Sequence, residues 1–233
     1  MQNVYANMLR PPTLLSTGVS KPRLFLDCST IDPKTSSEVA NAIHSSGQGK
    51  FVDTPMSGGV VAAREARLTF MFGASDELAP KVKELLELMG KKILHLGPQS
   101  SGLKGKLANN YILAINNIAT AEAMNMGIKW GLDPKVLSEL INASTGRCWP
   151  SVVNNPIPGI SEGAPASNDY IGGFGTALMN KDLGLAMASA TEAGIEPRLG
   201  APCREIYKMV EANENTKGKD LSVVYQWLSG AAT

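Results

Sequence analysis

Several short stretches of this 233-residue chain bring together residue types that handle protons or carboxylates. The stretch Asp53-Thr54-Pro55-Met56-Ser57-Gly58-Gly59 follows the apolar pair Phe51 and Val52. Adjacent glycines after a strand allow either a turn through positive φ or close approach of a ligand to main-chain N–H groups. The plain alternative is an ordinary loop. Further on, Lys106 and Asn110 stand four residues apart with Asn109 beside them, so both project from one face of a helix. A lysine near a helix N-terminus feels the positive end of the dipole, which favours its neutral form and suits a base; otherwise it belongs to a solvated first turn. Residues 172–186 combine a glycine cluster and Phe174 with Lys181 and Asp182. The spacing predicts Phe174, Leu178 and Lys181 on one helical face, lining a cleft or simply snorkelling. In residues 144–151, Arg147 stands near Trp149 and can grip a carboxylate bidentately or cap the preceding helix.

The elements that must position these residues fall into two kinds. Apolar runs at 24–29, 50–53, 68–73 and 92–97 read as strands, some of which can pair antiparallel. Between them, Asp32-Pro33 opens a helix to about Gly47, and residues 75–91 form another. After Gly97 the strand signals stop, which places a domain boundary near residue 100, between 1–100 and 101–233. A helix from Leu103 to about Lys129 would span about 40 Å at 1.5 Å per residue. Asp133-Pro134 opens the next, to about Asn142; residues 146–173, rich in proline and glycine, read as a long functional loop. Helices near 175–193, 199–213 and 219–229 complete the chain.

Composition narrows the function classes. Lys and Arg number 22 against 21 Asp and Glu, without a basic block, so nucleic acid is not expected as a partner. Apolar residues at 43% and charged residues at 18% fit a globular chain with no membrane association. Cys28, Cys148 and Cys203 lack paired spacing and only His44 and His95 could join them, so no metal is expected and a reducing compartment is. The first residues show neither a signal-peptide core nor an Arg-rich amphipathic transit pattern, which reads as cytosolic if Met1 is the true start.

Taken in order, LDCSTIDP, FVDTPMSGG, SGLKGKLANN, TAEAMNMGIKWGLDP, STGRCW and GGFGTALMNKDLGLA resemble the β-hydroxyacid dehydrogenase family over nearly the whole chain from Leu24 onward. The Gly-Arg-Cys-Trp and Asn-Pro-x-Pro-Gly stretches are similar to its 3-hydroxyisobutyrate branch. Sugar-acid relatives such as 6-phosphogluconate dehydrogenase typically carry His-Asn where this chain has Asn109-Asn110. The resemblance implies an α/β partial Rossmann-like domain followed by an all-α domain built around a long central helix. It implies oxidation of 3-hydroxy-2-methylpropanoate to methylmalonate semialdehyde in valine breakdown, with NAD as cofactor and NADP left open. Lys106 matches the catalytic lysine. Ser57, Gly58, Gly59 and Asn110 match the substrate contacts, together with Asp182; Thr30, Phe174 and Lys181 match cofactor contacts. A homo-oligomer formed through the helical domain and a mitochondrial location are implied in the same way. Two other readings stay open: a non-catalytic subunit that associates through its helices, and a related reductase of glyoxylate or succinic semialdehyde.

The family's G-x-G-x-x-G turn, on which the cofactor pyrophosphate rests, does not occur in these residues. The strand at 24–29 resembles the fifth strand of the family's nucleotide domain, and residues 2–18 the segment before it, so about half of that domain is expected to be missing. Weak or no NAD binding by the 233-residue chain is therefore the expected outcome of an NADH titration followed by nucleotide fluorescence. Saturable micromolar binding would overturn that expectation.

Overall fold

A computed structural model of the chain describes residues 22–230. Residues 2–18, matched above with the segment preceding the fifth strand, lie outside the described residues. The chain divides between Leu107 and Ala108 into two compact units.

In the first unit, β1 (Arg23–Asp27) pairs in parallel with β2 (Gly49–Asp53), from Arg23 opposite Gly49 to Asp27 opposite Asp53. Parallel neighbours need a crossover, supplied here by α1 (Pro33–Ser45). Its start is set as expected: the Asp32 carboxylate accepts from Thr35 N at 2.8 Å, with Pro33 in the first turn. Val39, Ala40 and Ile43 recur at helical spacing and bury against Phe51 and Phe25.

The stretch after β2 is more ordered than a loop. It forms a two-residue strand β3 (Met56–Ser57) and a short helix α2 (Gly59–Arg64) before β4 (Leu68–Phe72). β3 runs antiparallel to β4, and β4 runs parallel to β5 (Gly90–His95). An antiparallel bridge from Asp53 to Gly73 links this sheet to the β1–β2 pair. Val52, Phe70, Phe72, Val82 and Leu86 form the core beneath. The helix expected over 75–91 is shorter, α3 (Ala79–Glu87). Leu78 N and Ala79 N both turn back on Ser75 O, and Gly90 has already entered the strand opposite Leu68.

α4 (Ser101–Lys129) is the long helix, 29 residues through the division between the units. In the second unit its residues Ala114, Ile118 and Ala121 pack against Met179, Leu183, Tyr207, Val210 and Leu221. Buried Asn117 donates through Nδ2 to Tyr207 Oη at 3.0 Å and Leu221 O at 2.8 Å, which pairs the amide donors that would otherwise be costly inside. α5 (Pro134–Ala143) starts on the Asp133 carboxylate. Residues 146–173 are not structureless: α6 (Trp149–Val152) and a 3₁₀ turn at Pro165–Asn168 lie within them, and buried Tyr170 donates to Pro156 O. α7 (Thr176–Glu192), α8 (Gly200–Ala212) and α9 (Val224–Ser229) follow. The last opens as a 3₁₀ turn at Leu221–Val223, because the Asp220 carboxylate accepts from Ser222 N and tightens the start. Among the described residues, no helix is long and apolar enough to cross a membrane.

Ala66, just past α2, adopts φ +51, while Arg67 N reaches back to Ala62 O at 2.7 Å. Such a helix end favours glycine, because a Cβ strains the left-handed conformation. Ala66→Gly is expected to stabilise the chain by about 1 kcal/mol, read as a higher urea midpoint at unchanged slope.

Candidate functional site

The chain leaving β2 is pinned by main-chain bonds on either side. Thr54 N donates to Asp27 O at 2.8 Å, Gly73 N to Asp53 O at 3.1 Å, and Met71 N to Pro55 O at 2.9 Å. Ser57 then pairs with Thr69 and the chain turns through Gly58 at φ +137 and Gly59 at φ +66. Those angles explain the two glycines: a Cβ at Gly58 would also lie 2.7 Å from Ala62 Cβ. The result is a half-buried hydroxyl beside two exposed glycine backbones, a set of donors that suits a carboxylate.

Lys106 also lies in the first unit, in the second turn of α4, and is only 7% exposed. It is not the solvated first-turn lysine that was one reading of its position. The helix bearing it is anchored by a residue the sequence did not single out. Asp53, fully buried, accepts from Ser100 N at 2.7 Å and Gln99 Nε2 at 3.1 Å on one oxygen, and from Leu103 N at 2.9 Å on the other. Burial raises its carboxyl to about 6, with the main-chain donors of Leu103 and Ser100 pulling the other way. Ser100 is held at φ +72, and its hydroxyl donates to Pro33 O at 3.0 Å and pairs with Ser37 Oγ. The signal was present in the sequence as an acid directly after an apolar strand.

In the second unit the structure joins Asn110, Lys181 and Asp182. Asn110, 1% exposed, donates through Nδ2 to Asp182 Oδ2 at 2.6 Å, and Lys181 Nζ lies 2.8 Å from Asp182 Oδ1. Asp182 is buried and Lys181 half-exposed, so the pair presents an ammonium at the surface above a fixed carboxylate. Phe174 does not share their helix, contrary to the periodicity argument: α7 begins only at Thr176. Phe174 lies in the preceding glycine turn, where its N–H donates to Asp220 Oδ2 at 2.7 Å. Asp220 is a second missed residue. Its Oδ1 accepts from Asn154 Nδ2 at 2.9 Å and from both the N–H and hydroxyl of Ser222, and a Cβ at Gly173 would collide with Oδ2 at 2.0 Å.

Thr30 stands three residues beyond the end of β1 rather than at its tip. That region follows the carboxyl end of a parallel strand, where ligands of open α/β sheets bind. Buried Asp27 Oδ2 has no hydrogen-bond partner among the described residues there, while Oδ1 accepts from Ser29 N. A group with amide donors would fit that acceptor, as the carboxamide of a nicotinamide does. Arg147 is exposed, and α5 ends on a main-chain bond from Ser144 N to Ile141 O.

A family model described as "NAD-binding of NADP-dependent 3-hydroxyisobutyrate dehydrogenase" matches residues 100–228. One described as "NAD binding domain of 6-phosphogluconate dehydrogenase" matches residues 2–97. The mitochondrial 3-hydroxyisobutyrate dehydrogenase of Rattus norvegicus is 49% identical over 210 residues, covering 90% of this chain and 62% of the relative. The chain thus spans less than two thirds of that relative's length. The probable mitochondrial 3-hydroxyisobutyrate dehydrogenase of Dictyostelium discoideum is 44% identical, covering 98% of this chain and 70% of its own. A solved Mycobacterium tuberculosis 3-hydroxyisobutyrate dehydrogenase with L-serine superposes with a TM-score of 0.88 at 37% identity, over 97% of this chain and 76% of that one.

The raised carboxyl of Asp53 carries a pH signature of known sign. Its folded value of about 6 lies above the ordinary 3.8, so the folded state holds the proton more tightly. The stability this contributes is fully present below about pH 4 and is lost as pH rises through about 6. In urea unfolding, the stability of the chain relative to Asp53→Asn is expected to fall by up to about 3 kcal/mol between pH 4 and pH 7. A pH-independent difference would refute the assignment.

Proposed function

Because the chain belongs to the 3-hydroxyisobutyrate dehydrogenase family, we propose that it oxidises a short 3-hydroxy acid, 3-hydroxyisobutyrate, to its semialdehyde with NAD. The single observation that carries this reading is Lys106 buried in the same unit as the Ser57-Gly58-Gly59 turn. The Ser57 hydroxyl and the main-chain N–H groups of the two glycines bind the substrate carboxylate. Lys106, as the neutral amine, takes the proton from the substrate hydroxyl as the carbinol carbon gives up its hydride, and becomes an ammonium. Asn110, held by Asp182, orients the substrate. NAD, when bound, supplies the hydride acceptor. Thr30, Phe174 and Lys181 are the residues proposed to hold it. L-serine, present with the Mycobacterium tuberculosis relative, is itself a small 3-hydroxy acid and supports the substrate class.

The mitochondrial relatives support the same compartment for this protein. Exposed Met126 on α4, Trp130 in the turn just after it, and Val136 and Leu140 on α5 support self-association through the helical unit. Light scattering that shows a monomer at all concentrations would refute that.

The test is NADH formation from 3-hydroxyisobutyrate at millimolar NAD, with glyoxylate and succinic semialdehyde tried in reverse. Lys106→Ala is expected to lower kcat by about 10²–10⁴-fold, and Ser57→Ala chiefly to raise KM. Turnover that survives Lys106→Ala would exclude this mechanism; no turnover in the unaltered chain would favour the non-catalytic subunit.

A further inference from the structure

We infer that the Asp53 carboxylate is a positioning residue that fixes Lys106 against the turn carrying Ser57, Gly58 and Gly59. The inference deepens the proposed function and rests on its reading of Lys106 as proton acceptor.

Asp53 works in two directions. Its main chain belongs to the strand that becomes the turn: the carbonyl accepts from Gly73 N, and Thr54, Pro55 and Ser57 are stitched to Asp27, Met71 and Thr69 immediately afterwards. Its side chain grips the start of α4 through Gln99, Ser100 and Leu103. Lys106 is three residues beyond Leu103, a rise of about 4.5 Å. One residue therefore sets both the proposed carboxylate site and the base in a single frame.

The surroundings are cleared for that grip. A Cβ at Gly73 would lie 2.8 Å from Asp53 Oδ1, and one at Gly102 would lie 2.9 Å from Oδ2 and 2.6 Å from Met71 O. The helix start thus rests directly on the backbone of β4. Ser100, which carries the first of the two gripped main-chain N–H groups, adopts a left-handed backbone at φ +72 despite its side chain. Such strain persists only where the surroundings over-determine it. Both Asp53 oxygens act as acceptors, so an amide cannot replace the carboxylate. Asn would turn an NH₂ toward Leu103 N–H or toward Ser100 N–H.

The test uses the full 233-residue chain. Lysines are labelled competitively with trace acetic anhydride and read by mass spectrometry, with exposed Lys104 as internal reference for Lys106. Asp53→Asn is expected to raise the Lys106-to-Lys104 ratio several-fold, and to speed hydrogen exchange over residues 100–106. In the turnover assay it is expected to lower kcat by about tenfold to a hundredfold with KM little changed. A role in stability alone would lower the melting temperature and leave the labelling ratio as in the unaltered chain, and that result overturns the inference. Should Asp53→Asn not fold, Gln99→Leu removes only the 3.1 Å donor; a smaller shift of the ratio in the same direction supports the inference, and no shift overturns it. If Lys106→Ala retains turnover, the proposed chemistry fails, yet the labelling ratio still decides whether Asp53 places Lys106.

Discussion

A carboxylate enclosed by protein must exchange its water shell for fixed donors, and Asp53 is where the first unit solves that problem. Among the described residues no cation is a partner; two main-chain N–H groups and one amide donate to it. This requirement radiates outward. It demands a helix N-terminus with open N–H groups, a chain bend that aims Ser100 N inward, and glycines at 73 and 102 so that neither side chain fills the oxygens' space. It also sits at the bridge between the two small sheets, so strand pairing and helix anchoring meet at one residue. The exposed turn at Gly58 and Gly59 can be bare because the segment feeding it is rigid on both sides.

The second unit uses the same device with different parts. Asp220 is buried and serves neutral donors from Asn154, Ser222 and Phe174. Its own N–H donates to Tyr170 O, and Leu221 N donates to Phe174 O. Through these bonds a proline- and glycine-rich segment acquires one conformation with only the short α6 and one 3₁₀ turn as regular structure. The Asn110–Asp182–Lys181 arrangement is more exposed on its lysine side, so its ammonium is screened by water while its carboxylate is not.

Much of this was legible in the order of residues. The strands, the Asp32 and Asp133 caps and the long helix follow from apolar spacing and helix-start chemistry, both local properties. Lys106 and the Ser57-Gly58-Gly59 turn were visible as residue types in a suggestive pattern. What remained hidden depends on partners distant in the chain. Asp53 meets donors 46 to 50 residues later, and Asp220 reaches back 66 residues to Asn154. No periodicity encodes such pairings. The same limit explains Phe174: offsets of three and four place it on a helix face, but the glycine turn ends the helix before reaching it. Lys106 looked equally compatible with solvent, because burial is decided by what packs over a helix rather than by its own sequence.

The clamp at Asp220 also bears on how the helical unit assembles. Its donors lie 66, 46 and 2 residues away, so the short-range contact with Ser222 can form early while the other two must wait for large loops to close. Ordering of the Asn154 and Phe174 segments is therefore a late and joint event, completed only when the C-terminal turn docks. A chain emerging from the ribosome would hold this whole stretch unsettled until Asp220 and Ser222 were available.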